Sequence, residues 1–256
     1  HPVNRRQRQM CIRDRNVMKA FNIFISTLIF FISSLANANE KIKFSLDWKF
    51  EGPSAIFLTS KERGYYKSSG LDVTIDSGKG SRDAIPKVAS GTYPLGFADI
   101  NSVIKFLDQN PKAKVKAIMM VYDRPPFAII GRKSLGVAKP KDLEGKILGA
   151  PAPDGAYAQW KSFVKANNIN ASKVKIENVG FPVREPMLAS GKVQAITGFS
   201  FSSYINLASK GVSEDDISLM LMADYGLKLY GNAVIVNTDF AKAKPNIVKT
   251  LSLIHI

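Results

Sequence analysis

The stretch 140–160, PKDLEGKILGAPAPDGAYAQW, constrains the fold more than any other in the chain. A Lys-Asp-Leu-Glu-Gly turn leads into a short apolar strand over 146–150. That strand breaks on Pro151 and Pro153 and feeds a helix with Asp154 at its N-cap. A strand that passes through a Gly/Pro loop into a helix leaves backbone N–H groups pointing outward, with the helix dipole behind them. Such a corner is either a well-capped connection or a seat for an anion or a polar ligand head. Recurrence of the unit elsewhere in the chain bears on which it is.

The unit recurs. Alternating or apolar runs predict strands over 41–46, 71–75, 93–98 and 115–121, with helices over 55–63 and 83–90 and another behind residues 99–102. Ser54 is the expected cap of the first helix and Gly64 its stop. A break at 122–126 starts a second series: strands over 127–131, 146–150, 173–179, 193–197 and 217–223, with helices over 186–190 and 202–210. After another break at 224–231 come a strand over 233–237 and a helical run over 239–250. Strands alternating with helices predict an α/β fold with largely parallel sheets. Two such blocks predict two lobes, 39–124 with 225–250 and 125–224, the chain crossing between them twice.

In open α/β sheets ligands sit beyond the carboxyl ends of the strands. The residues gathered there are Asp47, Trp48 and Gly52; Gly80 and Ser81; Asp99, Asn101 and Ser102; Tyr122 at the first crossing; Asp154, Gly155, Ala156 and Tyr157; Arg184; and Phe199 with Ser200. Trp48, in a loop, either stacks on a ring or packs as a wall. Arg184 either forks to a carboxylate or sulfonate or pairs with Glu185. Asp99 and Asp154 either accept from a ligand N–H or cap the helices behind them. Gly80, Gly155 and Gly198 allow close backbone approach or simply serve tight turns.

Composition narrows the chemistry. The two histidines are His1 and His255 and the single cysteine is Cys11, so 39–250 contains neither type. That removes Ser-His-Asp and Cys-His nucleophiles, the usual zinc and copper ligands, and any disulfide framework. No metal or cofactor is expected. Six basic groups and one acid precede Asn39, leaving +10 of the +15 net charge beyond it. That charge is spread as single lysines rather than clustered, which argues against nucleic acid and fits a basic exported protein meeting small anionic solutes.

From Met18 the chain reads as a secretory signal: Lys19, an apolar run over 21–35, and Ala36-Asn37-Ala38 as the cleavage pattern after which Ala38 ends the leader. The run is shorter than the roughly 20 residues a membrane span needs. No Cys stands at the cleavage point for lipid attachment. Residues 1–17 and 251–256 resemble translated sequencing-adapter read-through and are expected to be non-native, with the return to the first lobe cut short.

LDW at 46–48, KERGYYKSSGLDVTIDSG at 61–78, VASGTYPLGFAD at 88–99, KPKDLEGKILGAP at 139–151 and MLASGKVQAI at 187–196 together carry a resemblance. The chain resembles the exported solute-binding proteins of ABC importers that take up nitrate, sulfonates, taurine or thiamine-pyrimidine precursors. The resemblance covers nearly all of 41–239. It implies a type II-like periplasmic binding protein fold whose two lobes close by a hinge on a small organic anion or heteroaromatic solute, and a membrane permease as partner. It implies that Asp47 and Trp48, Gly80-Ser81, Asn101-Ser102 and 154–157 face the ligand. The loop 49–53 lacks the polar, His-containing pattern of the pyrimidine-binding branch, which weighs against a thiamine precursor. The alternatives are an enzyme on the same fold, such as a pyrimidine-precursor synthase, or a receptor's sensor domain. The synthase would want a His that 39–250 does not supply. The expected protein is a periplasmic monomer without catalytic activity.

Overall fold

Among the described residues, ten strands divide into two five-stranded sheets. The computed structural model describes residues 39–255, so the signal-peptide and extension readings over 1–38 lie outside the described residues. Lobe 1 begins with β1 (Glu40–Ser45), α1 (Ala55–Glu62), α2 (Tyr65–Ser68), β2 (Leu71–Asp76) and α3 (Ser81–Ala89). It continues with β3 (Leu95–Asp99), α4 (Ile100–Gln109) and β4 (Val115–Met120). Lobe 2 holds β5 (Phe127–Arg132), β6 (Ile147–Gly149), α5 (Gly155–Ala158), α6 (Trp160–Ala166), β7 (Lys175–Glu177), α7 (Arg184–Ala189), β8 (Ala195–Phe199), α8 (Ser200–Ala208) and β9 (Ile217–Leu221). The chain then returns to lobe 1 as β10 (Asn232–Asn237), α9 (Thr238–Ala243) and α10 (Pro245–Ile254).

Side-chain alternation builds each sheet. In β1, Ile42 and Phe44 are buried while Lys41 and Lys43 are exposed. The central strands β5 and β10 read FAIIGR and NAVIVN and are buried on both faces. Phe127 and Ile129 enter one cluster with Phe163 and Trp160, while Ala128 and Ile130 enter another with Leu188 and Leu207. Val234 and Val236 likewise meet Phe57 and Phe97, and Ile235 meets Val88 and Val103 on the opposite face. Helices therefore cover both faces of both sheets.

The two sheets share one topology, β2-β1-β3-β10-β4 and β7-β6-β8-β5-β9. β1 with β3, and β6 with β7 and β8, are parallel. β10 runs antiparallel to β3 and β4, and β5 antiparallel to β8 and β9. The sheets are mixed, more so than the largely parallel sheets expected from the alternation. In both lobes the reversed strand is the one that follows a crossing. A chain leaving one sheet at the carboxyl ends of its strands enters the facing sheet from that same end, and so runs against its neighbours.

Two local expectations are refined. The Ser54 side chain makes no cap bond to α1; it donates to the Glu51 carbonyl instead. Residues 251–254, set apart in the sequence, form the last turn of α10, where Leu251 is buried with Phe57 and Tyr66. His255 Nε2 lies 2.7 Å from Tyr66 Oη.

Candidate functional site

The loops at the carboxyl ends of the two sheets meet. The β1 loop is tied to the β2 loop by N–H groups of Gly78 and Gly80 donating to the carbonyls of Trp48 and Asp47. This fixes Asp47 and Trp48 at the rim of lobe 1. Opposite them, Asp154 caps α5 by accepting from the Ala156 N–H and also accepts from Thr197 Oγ1 at 2.8 Å. Arg184, opening α7, lies behind it with Nη1 3.9 Å from the Asp154 carboxylate.

Asp47, Trp48, Gly80, Ser81, Asp154, Gly155, Arg184 and Phe199 line one pocket, together with Phe181 and Ser202. The space left between the closed lobes is about 20 Å³, room for about one water. The lobes are closed over it. Trp48 meets Phe181 edge-on at 4.2 Å, Arg82 donates to the Ala152 carbonyl, and Gln159 Nε2 lies 3.3 Å from Asp99 Oδ2. The backbone of Gly80 runs so near lobe 2 that a Cβ there would stand 2.4 Å from the Pro153 carbonyl oxygen.

The other sequence-designated residues stand around the pocket rather than in it. Asp99 is fully buried behind Ser81, its N–H donating to Ser81 Oγ, and caps α4 through Asn101 and Ser102. Asn101 and Ser102 turn their side chains onto Asp99. Tyr122 packs between Phe97 and Phe199 at the first crossing. Ala156 is buried in a lobe 2 cluster against which Tyr157 packs, and Gly52 is exposed on its turn. Ser200 donates its N–H to the Pro126 carbonyl.

Phe181 and Ser202 escaped the sequence reading. Phe181 had a signal, since an aromatic between Gly180 and Pro182 at a strand end is placed like Trp48. Ser202 had none, because it falls where a helix alone was expected.

The electrostatics are set by burial. Desolvation pushes the Asp47 carboxyl up to about 7 against hydrogen bonds from Asn232 and Ser81, and nearby Asp99 adds to the rise. Asp99 and Asp154 are raised by the same cause, Asp154 being partly held down by Arg184. Arg184 is already engaged: Nε and Nη2 donate to Glu185 Oε1 at 3.0 and 2.6 Å. Its guanidinium also stacks over Trp48 and Phe181, 5.4 and 5.6 Å from the ring centroids. Of the two readings of Arg184, the pairing with Glu185 is present, and the residue also lines the pocket. The pocket offers aromatic faces, buried acceptors and one largely neutralised cation.

A profile of the NMT1/THI5-like family matches residues 53–253. The chain belongs to that family. It is 23% identical over 197 residues to the riboflavin-binding protein RibY of Chloroflexus aurantiacus, a match covering 76% of this chain and 54% of that one. It therefore spans about half the length of that relative. The formylaminopyrimidine-binding protein of Halalkalibacterium halodurans is 26% identical over 232 residues, covering 87% of this chain and 68% of the other. Among solved structures, the alkanesulfonate-binding protein SsuA of Xanthomonas axonopodis pv. citri, bound to MOPS, superposes with a TM-score of 0.66 at 15% identity, covering 86% and 73%. The periplasmic aliphatic sulphonate-binding SsuA of Escherichia coli gives 0.67 at 10% identity, covering 85% and 72%. The fold is thus the two-lobed fold of periplasmic binding proteins, and these relatives are binding proteins. Among the described residues no helix is long and apolar enough to cross a membrane.

Proposed function

We propose that this protein is the solute-capturing component of an ABC importer, an exported periplasmic monomer that closes two lobes on a small organic solute and delivers it to a membrane permease. The observation that carries the reading is the closed cleft, where Trp48 and Phe181 from opposite lobes form one aromatic wall beside Asp47 and Asp154. Ligand contacts to both lobes favour the closed state. Of the two solute classes expected from the sequence, the lining favours a heteroaromatic with N–H groups over a sulfonate or carboxylate. A free anion would meet two acids and an arginine already held by Glu185. The formylaminopyrimidine- and riboflavin-binding relatives support the same class and keep pyrimidines in view, although the 49–53 loop lacks their expected pattern.

The protein binds without turnover. Its pocket lining includes neither His nor Cys, and the described histidine, His255, stands against Tyr66 in lobe 1. A thermal-shift screen of formylaminopyrimidine, riboflavin, nitrate, alkanesulfonates and aromatic carboxylates tests the reading. A ligand at about 100 times its Kd adds ~2.7 kcal/mol to stability. Heteroaromatics alone are expected to raise the midpoint. A shift with sulfonates alone overturns the ligand class, and conversion of any bound compound overturns the binding role.

A further inference from the structure

Ser202 lines the pocket, is 7% exposed, and its hydroxyl oxygen is buried with no hydrogen-bond partner. A serine inside a helix ordinarily bonds back to the carbonyl four residues earlier. Ser202 is in the first turn of α8, and the residue four back, Gly198, belongs to β8. The local alternative is therefore missing.

The other hydroxyls around the cleft are occupied. Ser81 donates to Asp47 and accepts the Asp99 N–H. Ser203, next in sequence, accepts from Arg184 Nη2 and donates to Glu185. Thr197 donates to Asp154. A buried hydroxyl without a protein partner is costly unless a water or a ligand supplies one, and Ser202 Oγ is the one such hydroxyl in the pocket lining.

We propose that Ser202 is a specificity-determining ligand contact, its hydroxyl donating to an acceptor atom, a carbonyl oxygen or ring nitrogen, of a heteroaromatic solute held against Trp48 and Phe181. The inference rests on the binding reading above. The direction of donation follows from the lining. Asp47 and Asp154 are acceptor-only when ionised, and Ser202 adds a hydroxyl donor to the part of the lining that lobe 2 contributes. A ring whose edge carries both donors and acceptors is matched by such a lining. A sulfonate, which has only acceptors, is not.

Calorimetric titration of wild type, Ser202→Ala and Ser203→Ala with riboflavin, formylaminopyrimidine and analogues each lacking one ring acceptor tests the proposal. Ser202→Ala is expected to weaken binding of the preferred compound at least ~10-fold while leaving the unliganded melting midpoint unchanged or raised, because no bond within the protein is lost. Ser203→Ala is expected to lower that midpoint. One acceptor-deleted analogue should bind wild type at least ~10-fold more weakly than its parent, and Ser202→Ala should not distinguish the two. Binding to Ser202→Ala within twofold of wild type, or a lowered unliganded midpoint, overturns the role of Ser202 and leaves the binding function standing. Failure of wild type to bind any compound of the screen overturns both.

Discussion

Asp47 is held between the two crossings by a contact that spans most of the chain: Asn232 Nδ2 donates to its carboxylate at 2.6 Å. Asn232 opens β10, and its carbonyl also takes the N–H groups of Val121 and Tyr122 from the first crossing. The cleft carboxyl is thereby joined to both hinge segments. Burial raises its ionisation from 3.8 to about 7. Below pH ~4 the folded and unfolded states both hold the proton, and the contribution to stability is full. Between the two values only the folded state holds it, so stability falls as pH rises, by up to ~4 kcal/mol once pH passes 7. Asp99 and Asp154 are shifted in the same direction. Asp216, held down to about 2 chiefly by the Ser134 N–H, acts oppositely at acid pH, and His255, held down by burial, opposes the fall below about pH 6.5. Melting midpoints from pH 4.5 to 7.5 should therefore decline for wild type. They should decline less for Asp47→Asn, whose amide oxygen still accepts from Ser81 and Asn232. Parallel profiles for the two proteins would show that Asp47 is ionised throughout.

At the level of the elements, β8 carries the seat of α7 and α8. A Cβ on Gly198 would lie 2.5 Å from Ser203 Oγ and 3.2 Å from Arg184 Cζ, so only glycine lets the Arg184–Glu185–Ser203 group rest on this strand. Gly198→Ala is expected to destabilise the fold by ~1–3 kcal/mol through this overpacking. Urea unfolding would show a lower midpoint at unchanged slope; a loss under ~0.5 kcal/mol would mean that the helices shift without cost. The elements themselves were legible, because Ile42 and Phe44 against Lys41 and Lys43, or the unbroken run of β5, carry their period in the sequence. The reversed direction of β5 and β10 was not, since side-chain alternation is the same read either way along a strand. The lining of the pocket was legible where loop chemistry sits at a strand end, as with Asp47, Trp48, Asp154 and Arg184. It was not where a contact joins distant positions, as with Asn232 and Asp47, or where a pocket hydroxyl lies inside a helix, as with Ser202.

The molecule as a whole works by closure of its two lobes in this reading. Gly80 has φ 107°, and its would-be Cβ falls 2.4 Å from the Pro153 oxygen of the other lobe, an approach that exists only when the lobes are together. The neighbouring Arg82 side chain reaches the Ala152 carbonyl in the same corner, while at Gly80 the two lobes meet backbone to backbone. Gly80→Ala should leave each lobe folded while holding the cleft ajar, so that ligand does not reduce the radius of gyration in X-ray scattering, whereas wild type is expected to contract. Affinity should drop at least ~10-fold, since contacts from one lobe are then lost or lengthened. Left-handed strain alone could weaken the protein, and Gly64→Ala separates the two effects. Gly64 has φ 74°, but its Cβ would meet nothing within 4 Å. If Gly64→Ala loses stability yet still contracts with ligand, and Gly80→Ala does not contract, the interlobe contact sets closure. If Gly80→Ala contracts fully, the Pro153 loop gives way and closure is governed instead by the aromatic and polar contacts of the pocket.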